Sequence, residues 1–195
     1  VMMNKPVAAL IGSVFLTASS AIAAPILAPP FGLQWGEGTS HVIHWAQEQK
    51  LEISVKFPSK DQRLREVIIN SKSGNLPAHL ASSLEVYYLK DKLYEVRVQY
   101  DGKGKSTAAV ERDLNQVRKD LAAQYGNFVP DAERDRTVDQ FRYLSNSYRI
   151  QPIDGLSLIV MMTKVEDLLR RKSAAKFTVI YRNQNIYNQV LAGGR

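Results

Sequence analysis

The sequence predicts an α+β domain, a mainly antiparallel sheet with helices packed on one face. Three observations lead there. Helix-like and strand-like runs come in blocks, in the order helix, strands, helix, strands. In the run 93–100, Tyr94, Val96, Val98 and Tyr100 alternate with Glu95, Arg97 and Gln99, the pattern of a strand with one face in water. Farther on, Val110, Leu114, Val117, Leu121 and Tyr125 recur at the spacing of one helix face.

Taken in order, the stretch APILAPP (24–30) reads as an extended, mobile lead-in, because its prolines forbid regular structure. Folding is expected to begin at Phe31 and to run as one domain over 31–195. Gly36 and Gly38 precede Val42, Ile43 and Ala46, an aromatic-anchored turn entering a short helix capped by Gly38 or Thr39. LREVIIN, SLEVYYL and LYEVRVQY are strands by their β-branched and aromatic content, and the short Lys90-Asp91-Lys92 link makes the last two a hairpin. The helix through Val110 starts at a Ser106 cap and stops at Gly126. Between 131 and 148 the pattern does not decide between helix and strand. LSLIVMM is apolar on both faces and reads as a central strand. Thr163 and Glu166 then resemble a capping box, with Arg170, Arg171 and Lys172 in the last turn of the helix it would start. FTVIYR is a further strand and NIYNQVL a closing helix.

The first 23 residues carry an address. Asn4 and Lys5 are a short polar entry, VAALIGSVFL is an apolar run, and Ala21 and Ala23 stand at the spacing a signal peptidase reads. Residues 1–23 are therefore expected to be a signal peptide cleaved near Ala23, since Pro25 would block a cut after Ala24. The apolar run is shorter than the ~20 residues a membrane-spanning helix needs, and no later stretch is longer. Val1 ahead of two methionines reads as a non-AUG start, which points to a bacterial reading frame. The expected location is periplasmic or secreted, as a soluble chain. The sequence has no cysteine, so neither disulfides nor a thioether lipid anchor enters the reading. Of 26 Lys and Arg against 19 Asp and Glu, only Lys5 lies in the leader, so 25 basic residues against 19 acids leave a mature charge of +6. That balance favours polyanions without naming one.

Several short motifs resemble chemical sites. Gly104-Lys105-Ser106-Thr107 looks like the end of a phosphate loop, but the first glycine such a loop needs falls at Gln99, inside a strand. A helix cap explains the same residues, and no nucleotide is expected. His41, His44 and Glu48 share one face of the first helix and could bind a zinc-like ion, although the zincin spacing and its adjacent glutamate are absent. Two solvated histidines on a polar face are the plainer reading, and His79 lies apart beside a proline. Asp131, Glu133, Asp135, Thr137 and Asp139 fall at alternate positions of a calcium loop, yet Arg136 stands where glycine is needed and Arg142 where a bidentate glutamate is needed. No G-x-S-x-G elbow occurs, and the second half of the chain has no histidine to act as a base. No catalytic residue and no cofactor is assigned, and a non-enzymatic role is favoured over an enzymatic one.

What remains is surface. Lys90, Lys92, Arg97, Lys103 and Lys105 come from the hairpin and the loop after it, and Arg170, Arg171, Lys172 and Lys176 follow later. If both groups share one side of the sheet, they form a basic patch suited to an anionic envelope component or an acidic protein; nucleic acid is disfavoured by the exported address. The opening segment FGLQWGEGTSHV, the set Asp91, Leu93 and Val96, and the set Leu121, Tyr125 and Gly126 resemble elements of small exported bacterial proteins related to outer-membrane-assembly helper modules. That resemblance implies helices on a sheet and a protein or envelope partner. The chain departs from those modules in lacking the lipid-bearing cysteine and in being longer. The expected function is an exported binding module of the cell envelope. A polyanion binder and a metal-dependent hydrolase are the alternatives.

Overall fold

The computed structural model describes residues 27–70, 76, 81–153 and 155–193; residues 1–23, expected to be a leader, the cleavage site expected near Ala23, and His79 lie outside the described residues. Helix α1 (Thr39–Glu48) leads into strands β1 (Glu52–Lys56), β2 (Leu64–Asn70), β3 (Ser83–Leu89) and β4 (Lys92–Asp101). Helix α2 (Thr107–Tyr125) leads into β5 (Val129–Val138), β6 (Phe141–Ile153), β7 (Leu156–Asp167) and β8 (Lys172–Asn183), and α3 (Gln184–Gly193) closes the chain. The strands form one antiparallel sheet in the order β1-β2-β3-β4-β8-β7-β6-β5. A helix followed by a four-stranded meander therefore occurs twice. The two meanders join last strand to last strand, and the palindromic order gives the sheet an approximate two-fold axis at the β4–β8 seam.

One face of the sheet carries the core. Val42 and Ala46 of α1 and Val110 and Leu114 of α2 are buried in a single cluster with Val67, Ile69, Leu84, Val86, Val96, Val98, Leu158, Val160, Phe177 and Val179. The cluster begins earlier than the sequence suggests. Leu27, within the proline-rich lead-in, is fully buried, and its carbonyl accepts the indole N–H of Trp35 at 2.9 Å. Burying a leucine contributes ~1.5–3 kcal/mol, enough to hold this end of the lead-in on the domain rather than free in solvent.

Local chemistry explains the element starts. Ser106 caps α2, its Oγ accepting from the Ala109 N–H at 3.2 Å, and Gly104 and Gly126 take positive φ on either side of the helix. The start of α1 has no cap of its own, because Gly38 carries no side chain. Asp91, in the two-residue β3–β4 turn, supplies it: Oδ1 accepts from the Thr39 N–H at 3.0 Å and from Thr39 Oγ1 at 2.9 Å. Both Lys90 and Asp91 have positive φ, the geometry of a tight hairpin turn that matches strand twist. The Leu93 N–H donates to the Glu37 carbonyl, and its own carbonyl accepts from Gly36, so the opening segment and the start of β4 fix one another.

One sequence reading is corrected. Thr163, Glu166, Arg170, Arg171 and Lys172 do not form a helix: β7 runs on to Asp167, a turn follows, and β8 starts at Lys172. Thr163 pairs across strands with Lys176 and Ser145, and Glu166 binds Lys164 at 2.8 Å. The apparent capping box is thus part of β7, with Glu166 also facing Arg142 of β6 at 3.7 Å. The undecided stretch 131–148 is the β5–β6 hairpin, and the short edge strand β1 is an element the sequence reading did not identify.

Candidate functional site

Among the described residues, no helix covers most of the width of the sheet's second face. Alternation along β4 points Glu95, Arg97 and Gln99 away from α1 and α2, and the register continues their rows across the seam. One row runs Tyr87, Glu95, Arg182, Ser157; the next runs Glu85, Arg97, Ile180, Ile159, Arg149; a third runs Ser83, Gln99, Thr178, Met161, Ser147. Helix α3 folds over one end of this face. Its Tyr187 ring lies 6.1 Å from Tyr94 and 4.0 Å beneath the Arg182 guanidinium.

A polar network sits at the seam. Glu95 is fully buried, and its carboxylate is held between Arg97, whose Nε donates to Oε1 at 2.5 Å, and Arg182, whose Nε donates to Oε2. The Arg97 guanidinium also lies 4.4 Å over the Tyr87 ring, and its Nη1 donates to the Tyr87 hydroxyl at 3.2 Å. That hydroxyl is 2.8 Å from Glu66 and 3.0 Å from Glu85. Gln99 connects Glu85 to Thr178, donating to the first and accepting from the second. Burial alone would lower the Arg97 pKa, but Glu95, Tyr87 and Glu85 around it leave it raised. Burial, with Glu95 beside it, pushes the Tyr94 hydroxyl up to about 12. Both groups keep one protonation state through the physiological range.

Sequence alternation had placed Glu95 in water. It is buried instead. A bulge at Tyr87/Tyr88 accompanies this change, with the Tyr94 ring 6.3 Å from Tyr87 and 6.1 Å from Tyr187, and Arg97 and Arg182 take the two carboxylate oxygens. Its second partner is 87 residues away along the chain. No local pattern reports such a pair.

Beside the network lies a hollow of about 310 Å³ with an apolar floor of Ile159, Met161 and Ile180. Arg182 and Tyr187 form one wall, and Asp131 and Arg134 of the edge strand β5 stand among its other lining residues. Asp131 is itself fixed by Arg149 and by Ser147. No family model, no characterised protein and no solved structure matches this chain. The site is therefore read from its own chemistry: a preorganised surface of arginine, tyrosine and carboxylate groups around an apolar floor.

The residues singled out in the sequence are distributed as follows. His41 Nδ1 lies 2.5 Å from Glu37, and His44 Nε2 lies 3.1 Å from Glu48, so the two histidines serve different carboxylates. Among the described residues no three His, Asp or Glu side chains converge as a metal site would require. Asp135 of the calcium-like stretch pairs with Arg142, whereas Asp131 pairs with Arg149 farther along the hairpin. Lys105 Nζ is bound to Asp113 at 2.6 Å. The basic residues do not form one patch. Lys90 and Lys92 lie at the start of β4, ~30 Å from its far end at 3.4 Å per residue. Lys103, Lys105, Arg170, Arg171, Lys172 and Lys176 gather at that far end, where Asp101 pairs with Lys176 and Thr107 Oγ1 meets Ser173 Oγ at 3.1 Å. Arg97 is committed to the seam.

Proposed function

We infer that this protein is an exported, non-enzymatic binding module of the cell envelope, and that it meets a protein partner on the uncovered face of its sheet. The observation that carries the reading is the seam network beside the apolar hollow. Arginine and tyrosine groups held in place by a buried carboxylate are the groups that contribute most at protein interfaces, and an ordered sheet spares them the entropy of being fixed on binding. The leader pattern and the absence of a catalytic motif support the same reading from the sequence. No helix among the described residues is long and apolar enough to cross a membrane.

The test is site-specific photo-crosslinking in the exporting cell. A crosslinking residue at Met161 or Ser147, in the hollow, is expected to capture one envelope protein reproducibly from chains that have lost residues 1–23. The same residue at Lys119, on the exposed side of α2, is expected to capture none. Equal capture from all three positions, or recovery of the chain with its leader intact in the cytoplasm, rejects the reading. The cluster of cations at the far end of β4 supports a second reading, a polyanion binder. Retention on heparin that collapses with modest salt tests it.

A further inference from the structure

At the end of the sheet where β7 turns into β8, two leucines stand in solvent. Leu169 is 75% exposed and Leu168 half exposed, and Val138 in the adjoining β5–β6 hairpin is exposed to a similar degree. These two turns are neighbours: the Leu168 N–H donates to the Gln140 carbonyl at 2.9 Å, and Phe141 pairs with Asp167. The tip is also ordered. Asp167 Oδ1 accepts from the backbone N–H groups of Leu169 and Arg170, at 3.1 and 3.0 Å, which fixes the loop with its leucines outward. Directly behind them come Arg170, Arg171 and Lys172, all exposed, with Lys176 and Lys103 on the same end. Of the nearby acids, Asp167 holds the turn and lies 3.8 Å from Arg170, Glu166 binds Lys164, and Asp139 is exposed beside Val138.

We propose that this tip is a membrane-surface anchor: Leu168, Leu169 and Val138 enter the headgroup and acyl boundary of an anionic bilayer while Arg170, Arg171 and Lys172 bind lipid phosphates. Exposed leucines ahead of a cationic collar match the two layers of such a surface, apolar below and negatively charged above. A soluble polyanion would use the collar and leave the leucines in water. A membrane uses both. The proposal does not depend on the sheet-face reading, because the tip lies on different loops, and it shares its cations with the polyanion reading.

The absence of cysteine permits a direct test, since one introduced thiol can be labelled alone. The chain carrying Leu169→Cys with an environment-sensitive fluorophore is mixed with vesicles of phosphatidylcholine, alone or containing phosphatidylglycerol. The expected result is a blue shift and co-sedimentation with the phosphatidylglycerol vesicles only, while the label at Lys119→Cys stays unshifted. Leu168→Ser with Leu169→Ser is expected to abolish co-sedimentation. Neutralising Arg170 or Arg171 to Gln is expected to weaken it roughly fivefold for each, with further loss as salt rises. These residues are exposed, and circular dichroism checks that each variant is folded. Three results overturn the proposal: no vesicle binding at any composition, vesicle binding unaffected by the double serine variant, or heparin retention without vesicle binding. A Leu168/Leu169 dependence seen only in crosslinking to an envelope protein also overturns it and assigns the tip to that protein.

Discussion

Glu95 shows how much one side chain can organise. A carboxylate removed from water is costly unless donors meet its lone pairs, and here Arg97 and Arg182 meet both oxygens from two different strands. The two arginines are not equivalent. Arg97 keeps about a third of its side chain (34%) in solvent and can turn outward, whereas Arg182 is only 15% exposed and is stacked on Tyr187. Removing Glu95 therefore leaves Arg182 buried without its counter-ion. Glu95→Ala is expected to cost about 3 kcal/mol, and Arg97→Met about 1 kcal/mol, because in that variant Glu95 still holds Arg182. Urea denaturation checks the order through the midpoints, with unchanged slopes showing that stability alone has moved. If Arg97→Met proves as costly as Glu95→Ala, the carboxylate is not the centre of the network.

At the scale of elements, what the sequence disclosed depended on where each element's partners lie. Helix α2 was legible because its face, cap and stop are all written within one local stretch. The strands β2 and β3 were legible from their β-branched and aromatic residues, and β4 also from its alternation. Strand β5 was not, since it is an edge strand exposed throughout its ten residues and so has no apolar period to read. The end of β7 was misread because Glu166 three residues after Thr163 fits a helix turn as well as it fits a cross-strand ladder, and only the neighbouring strands distinguish them. In the loop joining the two units, Gly102 and Gly104 have different roles. Gly104 has φ +76 with open space around it, whereas a Cβ on Gly102 would lie 1.9 Å from the Ala175 carbonyl of β8 and 2.8 Å from Val110 of α2. Gly102→Ala must push α2 away from the sheet and is expected to cost about 3 kcal/mol or more, while Gly104→Ala costs ~1–2 kcal/mol of backbone strain. Thermal melts of the two variants, read against Ser106→Ala as a lost-cap reference of about 1 kcal/mol, check the ranking.

At the scale of the whole molecule, the repeated helix-and-meander plan raises the question of whether the halves are two folding units. Several features argue that they are one. The β4–β8 ladder joins them through backbone bonds, the Glu95–Arg182 pair crosses the same seam, and the buried apolar residues of both helices belong to one cluster. Were either half to unfold alone, it would expose the seam edge and the apolar floor beneath the other half's helix, a cost the remaining half could not offset. The distribution of chromophores makes this testable without any mutation. Both tryptophans, Trp35 and Trp45, lie in the first unit, while the longest helix, α2, belongs to the second. Tryptophan fluorescence therefore reports the first half, and helical circular dichroism is weighted towards the second. A single cooperative unit requires the two signals to change together in urea, with the same midpoint and slope. Tryptophan emission that shifts well before the helical signal is lost would show that the first meander unfolds independently, and the seam would then be a contact between two domains rather than the centre of one.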